Sequence, residues 1–508
     1  MVPPMTDLDR RNFLKTGAGV AVGTGVLGGP FAGYLAAPAY AGKGRALPLD
    51  IQPVPDMRDG VERLALPPGF QYRSFQVSTR PENTGPHVQL DDGAILPGRH
   101  DGMACFGAPD GYRLVTLIRN HEENGSIAGG APAGASTPVY DSAALGGTST
   151  VVVTPKGVVE ESFMSLAGTQ MNCSGGKMPW GAWITCEETV NGYDVGDDFT
   201  RGTAPPETYV QNARLQKRHG FIFEVPVEGA ASAQPIESAG RFAHEAVAFD
   251  RRRGDLYLTE DNFGFPSGFY KYVPPQHPME AGRLLDGGTL WMLKVKGVDN
   301  AELSGHFANG TTFEVEWVKI DQPSFDYGRP AAGAPPAVTN DEAINFVANQ
   351  GLAKGAARFS RLEGAVYDEG WVFWSSTQGG ATPPGETPPS GYGDGFGQIW
   401  GLELRNQRLH MLYESPSRDI LDFPDNVTMS RRDTLIVCED GSQGNYLRGL
   451  TRRGELFDIA RNNMSGADAD DEFAGAAFTP GGKTLFVNIQ DRVGMTFAIW
   501  GPWASIGI

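Results

Sequence analysis

Residues 172–188 combine a thiol with carboxylates in a pattern suited to metal chemistry. Cys173 sits in a Gly-rich stretch, Asn172-Cys173-Ser174-Gly175-Gly176, and a short aromatic and aliphatic run leads on to Cys186-Glu187-Glu188. Carboxylates are hard ligands that take Ca²⁺ or Mg²⁺. One thiolate added to them points to a redox metal such as iron. Further acidic residues stand at the ends of strand-like runs: Glu122, Glu245, Glu260-Asp261, Glu363 and Glu439-Asp440. Any one of them alone reads as a solvated strand end. Gathered on a common axis they would repel strongly and would need cations between them. Arg361 lies two residues before Glu363, so on a strand the two side chains share a face. A guanidinium beside such a cluster is a candidate clamp for an anion such as phosphate, with a plain ion pair as the simpler alternative. His121 and His244 adjoin candidate carboxylates and could be ligands or structural hydrogen-bonders.

Such residues must be positioned by a scaffold, and the scaffold reads as all-β. The 68 glycines and 37 prolines imply many turns and few long helices. A weak repeat runs through the chain: an acidic or small residue, alternating apolar positions, a turn, a second apolar strand, then a polar residue or pair. It reads Glu245-Ala246-Val247-Ala248-Phe249 with Leu256 to Asp261, and recurs at 363–375, 425–440 and 474–488. Hairpins repeated round an axis are the sequence form of a β-propeller, which would bring their ends together. A pair of packed sheets is the alternative. Residues 148–154 and 158–166 read as a hairpin, residues 42–68 as an extended arm, and residues 191–218 as a polar insertion. Residues 341–357 have helical spacing, with Asn340 or Asp341 as N-cap. Residues 377–398 form a long Gly/Pro loop of the kind kept for function.

The N-terminus carries an export signal. Asp9-Arg10-Arg11-Asn12-Phe13-Leu14-Lys15 is a twin-arginine sequence, residues 16–30 are weakly apolar, and Ala39-Tyr40-Ala41 has the form of a cleavage site. The expected organisation is a leader at 1–41 and one domain at 42–508. Twin-arginine export moves folded proteins, often with a cofactor already loaded. The apolar run is too short and Gly-rich for a stable membrane anchor. A formal net charge of −18 disfavours a nucleic-acid partner. The four cysteines, Cys105, Cys173, Cys186 and Cys438, form no C-x-x-C pair, so a zinc knuckle is not expected. There is no G-x-S-x-G elbow, P-loop, H-E-x-x-H or dinucleotide fingerprint.

These pieces together resemble the PhoX family of secreted alkaline phosphatases. The resemblance rests on the leader, Asn120-His121-Glu122, the stretch from Asn172 to Glu188, Gly240-Arg241-Phe242 with His244-Glu245-Ala246, and Tyr257 to Asp261. It extends through Phe359, Arg361, Glu363-Gly364, Pro424-Asp425-Asn426, Glu439-Asp440-Gly441 and Thr484 to Asn488. It implies a six-bladed β-propeller with helical and loop insertions, and a mixed cofactor of ferric (Fe³⁺) and calcium (Ca²⁺) ions. Cys173 would be the iron thiolate. Glu188, Glu245, Glu260, Glu363 and Asp440 would be metal carboxylates, with Glu122 and Asp261 as further ligands. Arg361 and Asn172 would hold phosphoryl oxygens. The implied reaction is hydrolysis of small phosphomonoesters by a monomer in the periplasm or outside the cell, delivered by the twin-arginine export machinery. The sequence departs from the family pattern at Ser174, Ala243 and Leu362, which bears on substrate preference more than on the metals. A calcium-dependent propeller lactonase or phosphotriesterase, and a non-catalytic periplasmic binding propeller, are the alternatives.

Overall fold

The computed structural model describes residues 50–79, 84–107, 113–197, 212–466, 470–490 and 493–508. The expected leader, and part of the polar segment at 191–218, lie outside them. Three strands come first: β1 (Gln52–Val54), β2 (Leu64–Leu66) and β3 (Gln71–Thr79). A four-stranded sheet follows, β4 (His100–Phe106), β5 (Val115–His121), β6 (Gly146–Val153) and β7 (Val159–Thr169). Next is a three-stranded sheet of β8 (Asn172–Met178), β9 (Ala182–Glu187) and β10 (Ile222–Pro226).

Two antiparallel meanders come next. One is β11 (His244–Phe249), β12 (Leu256–Glu260), β13 (Phe269–Val273), β14 (Thr289–Val295) and β15 (Thr312–Lys319). The other is β16 (Leu362–Asp368), β17 (Trp371–Ser376), β18 (Gln398–Glu403) and β19 (Arg408–Glu414). Their outer strands pair, with Phe313 of β15 opposite Leu409 of β19, and this merges them into one nine-stranded sheet. A further sheet holds β20 (Pro424–Met429), β21 (Leu435–Glu439), β22 (Tyr446–Leu450) and β23 (Leu456–Asn462), with β2 and β1 added at its edge. The last holds β24 (Glu472–Phe478), β25 (Thr484–Gln490) and β26 (Val493–Trp500), and takes β3 as its fourth strand.

The fold is all-β and propeller-like. The first strand of each meander touches the next, from β4 through β8, β11, β16 and β20 to β24, and β24 touches β4 again. Among the described residues, the hydrogen-bonded sheets number five because of the β15–β19 pairing. Strands in such a stack are covered on both faces, and their sequences show it: every residue of β4, β9, β11, β12 and β17 is buried. Apolar clusters fill the gaps between neighbouring sheets. Val247, Leu258, Tyr270 and Met292 pack with Ile184 and Ile222, and the Phe269 and Trp374 rings stack at 4.0 Å. Each such side chain buried contributes roughly 1.5–3 kcal/mol. Near the axis the strands approach too closely for side chains. A Cβ on Gly102 would lie 2.6 Å from the Cys173 carbonyl oxygen, and one on Gly364 2.5 Å from the Val427 nitrogen.

Three expectations change. The arm at 42–68 contributes two strands, since β2 pairs with β23 and β1 pairs with β2. The helical stretch breaks at Asn345 into α2 (Asn340–Ile344) and α3 (Phe346–Leu352), which follow the short α1 (Pro278–Ala281). Thr339 is the N-cap, in a capping box with Glu342. No helix among the described residues is long and apolar enough to cross a membrane.

Candidate metal centre

One register irregularity recurs in all six inner strands. Pairing to the second strand of each hairpin breaks after His100, Asn172, His244, Leu362, Pro424 and Ala474, and resumes three residues later. A bulge of this kind re-aims the side chain that follows the break. Those side chains are Asp101, Cys173, Glu245, Glu363 and Asp425, with Gly475 in the sixth place. The five with side chains line a single cavity of about 280 Å³. Four of the strands are entered through a non-glycine residue in the left-handed region: Arg99 (φ 42°), Met171 (44°), Arg361 (38°) and Phe423 (50°).

The second strands supply another layer. Their last paired residues include Glu187, Glu260 and Glu439, and these turn away from the cavity. Glu187 accepts from the Gly220 and Phe221 amides, Glu260 from Gly268 N–H and the Tyr270 hydroxyl, and Glu439 from Arg448. Strand alternation then sends the next residue inward. Glu188, Asp261 and Asp440 all line the cavity, as does Glu122 after His121. Glu260, expected as a ligand, is therefore outside the cavity lining: Gly268 and Tyr270 hold its Oε2, and its buried Oε1 has no hydrogen-bond partner. Asn172, expected to hold a phosphoryl oxygen, is outside the lining too. Its amide oxygen accepts from Thr169 and its nitrogen donates to Thr185, so it braces the strand below Cys173 and is not part of the cavity wall.

Among the described residues, the wall carries eleven carboxylates, two arginines and one thiol. Two groups could each hold a cation: Cys173, Glu188 and Glu245, and Glu245, Glu363 and Asp425, with ligand atoms inside 4.8 Å of one another. Glu245 belongs to both. Its two buried carboxylate oxygens accept no hydrogen bond from a nitrogen or an oxygen, and one oxygen of Asp101 is likewise bare. Bare buried carboxylates are costly, and a cation is the natural complement. Burial, then mutual repulsion, pushes Asp101, Glu245 and Glu363 well above the usual carboxylate range, and Asp425 up to about 7. Burial also raises the Cys173 thiol, and Glu245 and Glu188 add to it. A thiolate there requires a positive ion beside it. The donor set thus fits one softer metal at the thiol and harder cations among the carboxylates.

Arg361 is one of two cations set in this negative field. Its Nε lies 3.1 Å from Asp261 Oδ1, and its Nη2 lies 2.7 Å from Asp261 Oδ2 and 3.0 Å from Glu363 Oε1. Burial raises Asp261, but the guanidinium outweighs it and holds that carboxylate low. Arg99 pairs with Glu122 in the same cavity.

Neither His121 nor His244 lines the cavity. His121 contacts the Gly98 carbonyl and Ser149, and His244 contacts the Gly240 carbonyl and stacks on Phe242. All four cysteines are free and buried. Sequence reasoning missed Asp101, Asp425, Glu472 and Arg99. The signal for the first two was available, since both start an inner strand as Glu245 and Glu363 do. Glu472 precedes a copy whose equivalent position is glycine, and nothing marked it.

A family model described as alkaline phosphatase PhoX matches residues 49–162 and 154–492. No curated protein sequence matches the chain. Among solved structures, Pseudomonas fluorescens PhoX in complex with vanadate, a transition state analogue, superposes with a TM-score of 0.59 at 16% identity. That match covers 89% of this chain and 98% of the other. A gluconolactonase from Xanthomonas campestris gives a TM-score of 0.32 at 12% identity, covering 83% of this chain and 99% of its own. A virginiamycin B lyase from Staphylococcus aureus gives 0.34 at 11%, covering 85% and 99%.

Proposed function

We propose a working site from one premise: this chain belongs to the PhoX family of alkaline phosphatases. It is a phosphoric monoester hydrolase, and its cavity is where the ester is cleaved. The observation that carries this reading is Glu245, whose bare, buried carboxylate is shared by both cation-sized groups. Cys173, Glu188 and Glu245 would hold iron. Glu245, Glu363 and Asp425 would hold an adjacent calcium, with Asp101, Glu122, Asp440 and Glu472 available to further calcium ions. When bound, these cations supply Lewis-acid neutralisation of the charge that develops on the phosphoryl group.

The chain's own residues do the rest. Asp261 and Glu363 fix Arg361 by its Nε and Nη2 edge, which leaves Nη1 for a phosphoryl oxygen. A guanidinium held in this way is preorganised, so little reorganisation is needed as charge builds. Asn172 steadies the strand that presents Cys173. The phosphomonoester enters from the open side of the cavity and is small by the measure of about 280 Å³.

Two broader readings accompany this one. The ring of inner strands supports a count of six blades, with the nine-stranded sheet read as two blades joined by β15 and β19. The twin-arginine sequence at 10–11 supports export of the folded, metal-loaded protein to the periplasm or beyond, as one domain from residue 42. The test is elemental analysis of protein exported in folded form, paired with a monoesterase assay at alkaline pH. Iron and calcium should co-purify, and chelation should abolish phosphate release. Activity unchanged by chelation and by Cys173→Ala would overturn the assignment.

A further inference from the structure

Arg99 and Arg361 occupy the same place on different strands. Each lies two residues before an axial carboxylate, Asp101 and Glu363 respectively, and each has the same left-handed backbone, φ 42° and 38°. Their strands β4 and β16 are three steps apart in the contact ring of six, which puts them on opposing sides of the axis. Both side chains line the same cavity.

The two guanidinium groups are also held alike. Arg361 is gripped through Nε and Nη2 by Asp261 and Glu363. Arg99 is gripped through Nε by the Glu122 carbonyl, at 2.8 Å, and through Nη2 by the Glu122 carboxylate. Among the described residues, Nη1 of each has no hydrogen-bond partner. The Arg99 side chain is 28% exposed and that of Arg361 15%, so Arg99 is the more open of the two. A non-glycine residue with positive φ is strained, and such strain persists where the surroundings demand one side-chain direction. A role confined to pairing with Glu122 would not account for a free, open edge on a guanidinium that repeats the pose of Arg361.

We propose that Arg99 is a second anion-recognising residue, which binds the substrate's phosphoryl group, and the released phosphate, from the wall opposite Arg361. This rests on the phosphatase reading. Each guanidinium keeps its Nη1 N–H groups for a phosphoryl oxygen, and two such charged donors would bracket one tetrahedral anion.

The test uses the metal-loaded enzyme with p-nitrophenyl phosphate as substrate and inorganic phosphate as ligand. Arg99→Asn removes the guanidinium with a residue that tolerates the left-handed backbone. A lost charged hydrogen bond predicts a KM, and a dissociation constant for phosphate by calorimetry, each raised about tenfold or more. The turnover number should fall less than about threefold, because uniform binding is what is lost. Arg99→Lys, which keeps the charge but not the fork, should fall between. Both constants within about twofold of the parent enzyme would overturn the proposal. So would a loss of iron or calcium in Arg99→Asn that accounts for the weaker binding, since Arg99 would then serve only to hold Glu122. If Arg99→Asn does not fold, the same two constants for Arg99→Lys decide. Failure of the phosphatase reading looks different: the parent enzyme itself would release no phosphate.

Discussion

Glu260 and Asp261 are neighbours in the chain and face opposite ways: Glu260 accepts from Tyr270 between two strands, while Asp261 receives Arg361 in the cavity. Substitutions should separate them. Glu260→Gln keeps a hydrogen-bonding oxygen and should leave activity within about twofold and metal content unchanged. Asp261→Asn frees Arg361 and should lower kcat/KM by about tenfold or more. Equal losses at both positions, measured by steady-state kinetics, would refute this division of labour.

Cys173 and Cys186 make a second contrasting pair. Both thiols are buried, but only Cys173 lines the cavity. Cys173→Ala is expected to remove iron and to cost at least about 100-fold in kcat, since even supporting groups of a metal site cost 10–100-fold. Cys186→Ala leaves a small core cavity and should cost stability while iron is retained. Elemental analysis of the two purified variants distinguishes them.

Removing the cations should destabilise the fold as well as silence it. Eleven carboxylates then face one another with two arginines between them. Calcium that binds only the folded chain adds about 4 kcal/mol at a thousand times its dissociation constant. The thermal midpoint of chelated protein should therefore rise as calcium is titrated back. A midpoint indifferent to calcium would show that the carboxylates hold none.

His219 makes stability depend on pH. It is fully buried, 2.6 Å from Glu187 and 3.4 Å from Asp141. Burial opposes its charge, but the two carboxylates win and raise it from 6.5 to about 9. A folded value above the unfolded one gives stability that is complete below about 6.5 and lost as pH rises through about 9. The full contribution is on the order of 3 kcal/mol. His219→Gln should thus melt well below the parent enzyme near pH 6 and close to it near pH 10. A gap that stays constant across that range would show that His219 is neutral throughout.

Arg361 should matter more to the transition state than to substrate binding, because two carboxylates, Asp261 and Glu363, fix it, whereas Arg99 is held by Glu122 alone and is more exposed. Arg361→Lys loses the planar fork and is expected to lower kcat by roughly 10²–10³, the range seen when one preorganised donor is removed. A rise in KM alone would assign it to ground-state binding instead.

The four repeat copies seen in the sequence are four of the inner hairpins, because a short apolar run survives wherever both strand faces are buried. The hairpin β8–β9 is not legible as a copy for a physical reason. Gly175 and Gly176 stand where apolar residues are expected, since the backbones there come too close for a Cβ. The directions of Glu260 and Asn172 were illegible because each adjoins a bulge, and a shift of one residue reverses which side chain faces the axis. The β15–β19 pairing joins segments about a hundred residues apart and leaves no local signal.

The pairing of β3 with β26 sets the order of assembly. Tyr72 stands opposite Ile499, so the ring is clasped by strands from nearly opposite ends of the described chain. On the ribosome, Cys173, Glu245 and Glu363 emerge long before Glu472 and Gln490, which complete the wall. Long-range closure of this kind is slow relative to local hairpin formation. Metal capture is then a late event, after synthesis has delivered β24 to β26. A chain ending at β23 is expected to hold neither iron nor calcium.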